Sequence, residues 1–131
     1  MFVSGLHLTG FRVQIETNGT LYRTGFPYSA CKIVCSPKTP HINSALAPYI
    51  DVLKYVIESG NVGTDGLPTS VLGRSIIPAR RPENCNAEIW VQPMDCGDDL
   101  QNIKHMQAAV SSVLTHGYRM CVQTHKILGL E

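Results

Sequence analysis

The chain has 131 residues, 44% of them hydrophobic and 16% charged, and its eleven Lys and Arg against ten Asp and Glu leave a formal net charge of +1. That length suits one domain whose core removes about two thirds of the unfolded surface from water, and the apolar fraction excludes wholesale disorder. The charge balance excludes a broad polycationic face for nucleic acid, and no apolar stretch approaches the roughly 20 residues of a membrane span.

The start, Met1-Phe2-Val3-Ser4-Gly5, lacks the basic head and apolar core of a secretory signal. The expected compartment is the cytoplasm, with no nucleic-acid or membrane partner. Residues 2–9 read as the tail of a helix closed by Gly10, so the chain is expected to begin in the middle of something. Alternation of Phe11, Val13 and Ile15 predicts a half-buried strand over 11–16, stopped by the turn cluster Thr17-Asn18-Gly19-Thr20. Lys32-Ile33-Val34-Cys35 is a second strand, broken by Ser36-Pro37. Val52 to Ile57 is a third by its β-branched and aromatic content, with a short helix as the alternative. Residues 59–87 are rich in Gly, Pro, Ser and Asn and predict a long loop excursion; loops of that length in a compact domain are usually functional or disordered. Ala87 to Gln92 is a fourth strand, stopped by Pro93. Asp98 or Asp99 then caps a helix on which Leu100, Ile103, Met106, Val110, Val113 and Leu114 recur at helical spacing, ending at Gly117. Tyr118 to Gln123 is a fifth strand. Strand, helix and strand in that order predict a βαβ unit in a parallel sheet.

Five cysteines, an odd and scattered set, do not read as a disulfide framework. Cys31 and Cys35 have the spacing of the first two ligands of a C-x3-C-x2-C iron–sulfur loop, but the third position is Lys38, and an ammonium group cannot replace a thiolate. Both read as strand cysteines. Cys121 and Trp90 are expected in the core. His7, His41, His105 and His116 have no partner at metal-ligand spacing and are expected at the surface. Arg74, Arg80 and Arg81 read as a solvated loop face, with cover for a carboxylated ligand as the alternative.

Four strands end in polar sets: Glu16 to Thr20, Ser36 to Lys38, Gln92 to Asp95, and Gln123 to Lys126. In α/β sheets and barrels, ligands gather at the carboxyl ends of strands. Glu16 can accept hydrogen bonds from a ribose, Ser36 and Lys38 can hold a carboxylate, and Gln92 and Gln123 can read the amide-like edges of a heterocycle. No Ser/His/Asp order, carboxylate pair or phosphate-binding glycine loop stands out.

These stretches resemble the 7-carboxy-7-deazaguanine synthase family of radical S-adenosylmethionine (SAM) enzymes. The matching residues are I-E-T-N-G-T at 15–20, C-S-P-K at 35–38, L-K-Y-V-I at 53–57, D-G-L-P-T-S-V-L-G at 65–73, W-V-Q-P-M-D at 90–95 and G-Y-R-M-C-V-Q-T-H-K-I-L-G-L at 117–130. The family's C-x3-C-x2-C loop and G-G-E-P segment have no counterpart in these residues. The chain therefore resembles the C-terminal half of such an enzyme: a single α/β unit over 1–131, part of an incomplete (β/α) barrel, with four to five mostly parallel strands and flanking helices.

The resemblance implies conversion of 6-carboxy-5,6,7,8-tetrahydropterin to 7-carboxy-7-deazaguanine and ammonia, in queuosine and related deazapurine biosynthesis. In the family a reduced [4Fe–4S] cluster cleaves SAM to a 5′-deoxyadenosyl radical, with Mg²⁺ assisting; the chemistry belongs to the cofactors and the protein supplies orientation. It further implies that Glu16, Asn18, Ser36, Lys38 and Gln92 bind SAM, and that Gln123, Thr124, His125, Lys126 and the C-terminal Glu131 bind the pterin. No residue is assigned a catalytic or metal-ligating role. Lacking the cluster half, the isolated chain is expected to be inactive and to work with a separate N-terminal-half chain or as a homodimer. The competing expectation is a non-catalytic binding module, whose open sheet edges invite a partner.

Overall fold

The computed structural model describes residues 2–130. Helix α1 (Phe2–Leu8) leads into β1 (Val13–Thr17), followed by β2 (Cys31–Cys35), β3 (Val52–Ile57), β4 (Glu88–Pro93), α2 (Asp99–His116), β5 (Arg119–Met120) and a single helical turn, α3 (Thr124–Ile127). The five strands form one sheet in the order β1-β2-β3-β4-β5, and every pairing is parallel. Neighbours in sequence are thus neighbours in space, as in a stretch of (β/α) barrel and unlike a doubly wound sheet, whose order reverses at a switch point. Only β4 and β5 are joined by a full helix; short 3-10 turns serve the β1–β2 and β2–β3 connections.

Strand periodicity gives the sheet two unlike faces. Ile15, Ile33, Cys35, Leu53, Tyr55, Ile57, Ile89, Val91 and Met120 form or pack against the main core, with Leu46, Ile50, Leu67, Cys85 and Ala109 over them. The other face, read by alternation along the strands, carries Gln14, Glu16, Lys32, Lys54, Glu88, Trp90, Gln92 and Arg119. Trp90 is therefore not in the core. It is half-buried on the polar face, its indole N–H donating to Glu88 and Lys32 Nζ lying 5.1 Å from its ring centroid.

The excursion is folded rather than loose. Tyr55 Oη donates to the Ala79 carbonyl at 2.7 Å in the core, and burial holds that phenol above its ordinary range, with the nearby Arg80 charge opposing the shift. Arg80 is half-buried and pinned to Asp65 at 2.6 Å, away from the solvated face expected of it, whereas Arg74 and Arg81 lie exposed as expected, Arg81 donating to the Ala87 carbonyl. Tyr118 Oη donates to the Asp65 carbonyl and Ser112 Oγ to that of Gly66, which clips the excursion onto α2 and its C-terminal connection.

Helix α2 begins at Asp98, whose carboxylate accepts from the Gln101 N–H, and ends at Gly117 with φ 73°. Its buried residues are His105, Ala109 and Ser112. His105 is only 5% exposed, against the surface position expected; its Nδ1 accepts from the Ser59 N–H at 2.9 Å. Leu100, Ile103, Met106, Val110 and Leu114 instead lie exposed. The helical period predicts the helix but not the side that packs, because the buried side must be small enough to let Gly66 approach. A Cβ on Gly66, whose φ is +74°, would lie 2.3 Å from His116 Cδ2 and 2.8 Å from Ser112 Oγ. β1 starts two residues later than expected, leaving Phe11 exposed, and β5 is shorter than expected because Val122 and Gln123 leave the sheet after a last bond from the Cys121 N–H to the Val91 carbonyl. Cys121 is half-buried. Among the described residues no helix is long and apolar enough to cross a membrane.

Gly66→Ala is expected to destabilise the chain by about 1–3 kcal/mol, since it adds left-handed backbone strain to a steric clash. Urea denaturation followed by circular dichroism checks this; an unchanged midpoint would mean that the excursion does not pack on α2 as described.

Candidate functional site

The carboxyl ends of the strands carry most of the residues expected to act. At the end of β1, Thr17 Oγ1 accepts from the Gly19 N–H and Asn18 Oδ1 accepts from both the N–H and the hydroxyl of Thr20. The turn is tight against β2: Gly19 has φ +85°, and a Cβ there would meet Cys35 Sγ at 2.7 Å. Asn18 thus spends its side-chain oxygen on the turn. The Ser36 N–H donates to the Thr17 carbonyl, carrying the ladder one step beyond β2 and fixing where the Ser36-Pro37-Lys38 segment leaves the sheet.

Lys38 Nζ donates to Ser36 Oγ at 3.1 Å. Burial, and after it the charge of Lys54, lower the Lys38 pKa, while the Cys35 thiol opposes the shift. A half-buried ammonium group with one neutral partner and a like charge nearby favours an anion beside it. Cys35 itself is buried, and its thiol is pushed up to about 12 by burial, so it stays protonated and unreactive at neutral pH. Ser36, Lys38, Lys54, Glu58, Ser70 and Met94 line one cavity of about 80 Å³, and Pro68, Val71, Leu72 and Pro78 of the excursion form its other wall. The excursion is therefore part of this cavity, a role its composition signalled only as an unusually long loop.

Its wall includes a strained turn. Val71 and Arg74 exchange backbone hydrogen bonds around Leu72 and Gly73, with φ of 52° and 72°. Positive φ at both central positions is the two-residue hairpin turn that favours Asn-Gly, so Leu72 is held in an unfavourable conformation at the cavity wall.

A second cavity, about 220 Å³, is lined by Met94, Asp95, Asn102, Met106, Gln123, Lys126 and Ile127 among others. Met94 is common to both. Lys126 Nζ donates to Asp95, which also accepts from the Gly97 N–H and the Asn102 amide. These contacts, that from Lys126 foremost, hold the Asp95 carboxyl down at about 2. Gln92 lies on the polar face in register with Val56, its amide oxygen 3.8 Å from Cys121 Sγ.

The expected residues therefore divide between two neighbouring groups, except that Asn18 and Gln92 line neither cavity. Ser36 and Lys38 share the first cavity, to which Glu16 is joined through Lys54; Gln123 and Lys126 share the second. Thr124 and His125 sit exposed on α3, lining neither cavity. Glu131 lies outside the described residues. Sequence reading missed Lys54 and Glu58 as members of these groups, and had Asp95 only within the polar set that ends β4. The alternation of Lys54 and Val56 with the core residues of β3 was the available signal for the first.

Because the folded chain holds the Asp95 pKa below its ordinary value, the stabilising effect of its contacts is present above the ordinary carboxylate range and is lost as pH falls through about 2. Lys126→Met is expected to raise the Asp95 midpoint toward 3.8, read by carboxyl carbon chemical shift. A midpoint that stays near 2 would show that Lys126 does not hold Asp95.

Three curated relatives match over most of the chain, each named 7-carboxy-7-deazaguanine synthase. That of Rhodospirillum rubrum is 42% identical over 96% of this chain and 57% of its own length. That of Rickettsia prowazekii is 37% identical over 92% of this chain and 49% of its own length, and that of Caulobacter vibrioides 32% identical over 98% and 51%. The chain spans about half the length of the curated relatives it matches. No protein-family model matches it, and no solved structure does. By its sequence, the chain is similar to 7-carboxy-7-deazaguanine synthases over about half of their length.

Proposed function

We propose that this chain is the SAM- and pterin-binding half of a 7-carboxy-7-deazaguanine synthase, acting in the conversion of 6-carboxy-5,6,7,8-tetrahydropterin to 7-carboxy-7-deazaguanine and ammonia in the cytoplasm. The observation that carries this reading is the half-buried Lys38 ammonium, whose described partner is the neutral Ser36 hydroxyl, in a cavity at the strand ends. A SAM carboxylate would give that ammonium group an ion-pair partner. Glu16 accepts from the ribose, and Gln92, on the same face of the sheet, meets the nucleoside. The second cavity, with Gln123, Lys126 and Asp95, is large enough to take part of a pterin. Thr124, His125 and Glu131 are proposed to close that end. SAM, when bound, supplies the group that reductive cleavage turns into a radical initiator. The residues named here hold it, aim it and keep water from it.

A four-iron cluster does not fit the cysteines of the described residues. Cys31 and Cys35 stand at opposite ends of β2, about 13 Å apart along a strand rising about 3.3 Å per residue. Among the described residues no group of three or more His, Cys, Asp or Glu side chains is placed to hold a metal ion. The cluster is therefore proposed to come with a further segment or a partner chain, and the exposed apolar stripe Ile103, Met106, Val110 and Leu114 favours association with such a partner or a second copy.

Calorimetric titration tests the reading. SAM is expected to bind the chain, more tightly once an N-terminal half bearing C-x3-C-x2-C is supplied, and Lys38→Met is expected to weaken binding by about tenfold or more. No binding heat in either setting, or a four-iron cluster reconstituted on this chain alone, would overturn it.

A further inference from the structure

Lys54 belongs to L-K-Y-V-I, a matching stretch that carries no assigned role. It stands on the polar face of β3, its side chain 18% exposed. Glu16 lies on β1, two strands away, with its register partner Val34 on β2 between them. Lys54 Nζ reaches across β2 to within 3.2 Å of both Glu16 carboxylate oxygens. Below this bridge Val34 and Val52 are buried, though neither joins the main core. Lys54 also lines the Lys38 cavity, and its charge contributes to lowering the Lys38 pKa. Glu58 is the acidic group lining that cavity, and its carboxylate is engaged by the Asn61 amide and the Ser70 hydroxyl.

As a stabilising device the bridge is weak. The Glu16 side chain is 58% exposed, and pairs of that kind contribute little to folding. As an orienting device it is strong. A glutamate on an exposed strand position samples several rotamers, and an ammonium group contacting both oxygens selects those that lie over the sheet toward the cavity.

We propose that Lys54 is a positioning residue, holding the Glu16 carboxylate over β2 so that a ligand hydroxyl entering the strand-end cavity meets an acceptor already aimed. The role deepens the SAM reading above and rests on it. It predicts that the loss of Lys54 acts through Glu16, and that any fixed cation of similar reach replaces it.

The test is SAM titration calorimetry on the full chain with Lys54→Met, Lys54→Arg, Glu16→Gln and the double variant Glu16→Gln/Lys54→Met. Lys54→Met is expected to weaken SAM binding by about tenfold with no change in melting temperature. Lys54→Arg is expected to recover most of the affinity, and Lys54→Met is expected to add nothing in the Glu16→Gln background. Wild-type affinity in Lys54→Met, or losses that multiply in the double variant, would overturn the proposal. Should the unaltered chain bind no SAM, the SAM reading fails, and positioning is then decided without ligand. The Lys54 ammonium, slowed in proton exchange by its carboxylate partner, is expected to give a proton–nitrogen correlation that disappears in Glu16→Gln. A missing correlation in the unaltered chain, or one that Glu16→Gln leaves in place, would overturn the Lys54–Glu16 contact itself.

Discussion

Parallel strands are ordinarily buried on both faces of their sheet, and here the two faces are chemically opposite. One carries the continuous apolar set from Ile15 through Val91 and lies under α2 and the 59–87 excursion. The other carries Glu16, Lys32, Lys54, Glu88, Trp90, Gln92 and Arg119. Charges in such number are tolerated on a sheet face only if water or paired groups reach them. The ion pairs Glu16–Lys54 and Glu88–Arg119, with the Lys32–Trp90 contact, meet that requirement side by side. A face built this way is suited to line the inside of a barrel where polar ligands sit. The sequential strand order is the topology such a lining needs.

The packed face explains why the excursion has its length. A sheet whose first three strands are joined without full helices leaves part of its apolar side uncovered by regular structure. The excursion does that covering with Leu67, Ala79, Cys85 and Ala87, anchored by the Tyr55–Ala79 hydrogen bond and the Asp65–Arg80 pair. Losing a buried partner such as Tyr55 Oη would leave a carbonyl unsatisfied, a penalty of about 1–3 kcal/mol. The same segment then turns over the strand ends and walls the Lys38 cavity. Core cover and site wall are one piece of chain, so changes in excursion packing reach the site directly.

Electrostatics distinguishes the two cavities. Lys38 is depressed by burial and by Lys54, a condition that an incoming anion relieves. Asp95 is satisfied by Lys126, Gly97 and Asn102, a set drawn from three separate parts of the chain. In the first cavity the Lys38 ammonium donates to a hydroxyl while the Glu58 carboxylate is engaged by Asn61 and Ser70, whereas in the second Lys126 and Asp95 pair directly.

Local sequence determined the elements and where the strands end. Period-two alternation marked β1, β-branched and aromatic content marked β3, Asp98 and Gly117 bracketed α2, and the polar sets after four of the strands pointed to a common end of the sheet. The matching motifs named the relatives that comparison over nearly the whole of this chain, and about half of theirs, then bore out. Tertiary structure alone decided which side of each element packs. Leu100, Ile103, Met106, Val110 and Leu114 looked like the buried stripe of α2, but the close approach of Gly66 requires small side chains, so Ala109 and Ser112 face inward with His105. Trp90 and Lys54 are neighbours on the polar face because register, set by hydrogen bonds between β3 and β4, aligns them. Periodicity within one strand says that alternate residues share a face. Which face meets the core depends on segments far away in the chain, and that information lies in no local window.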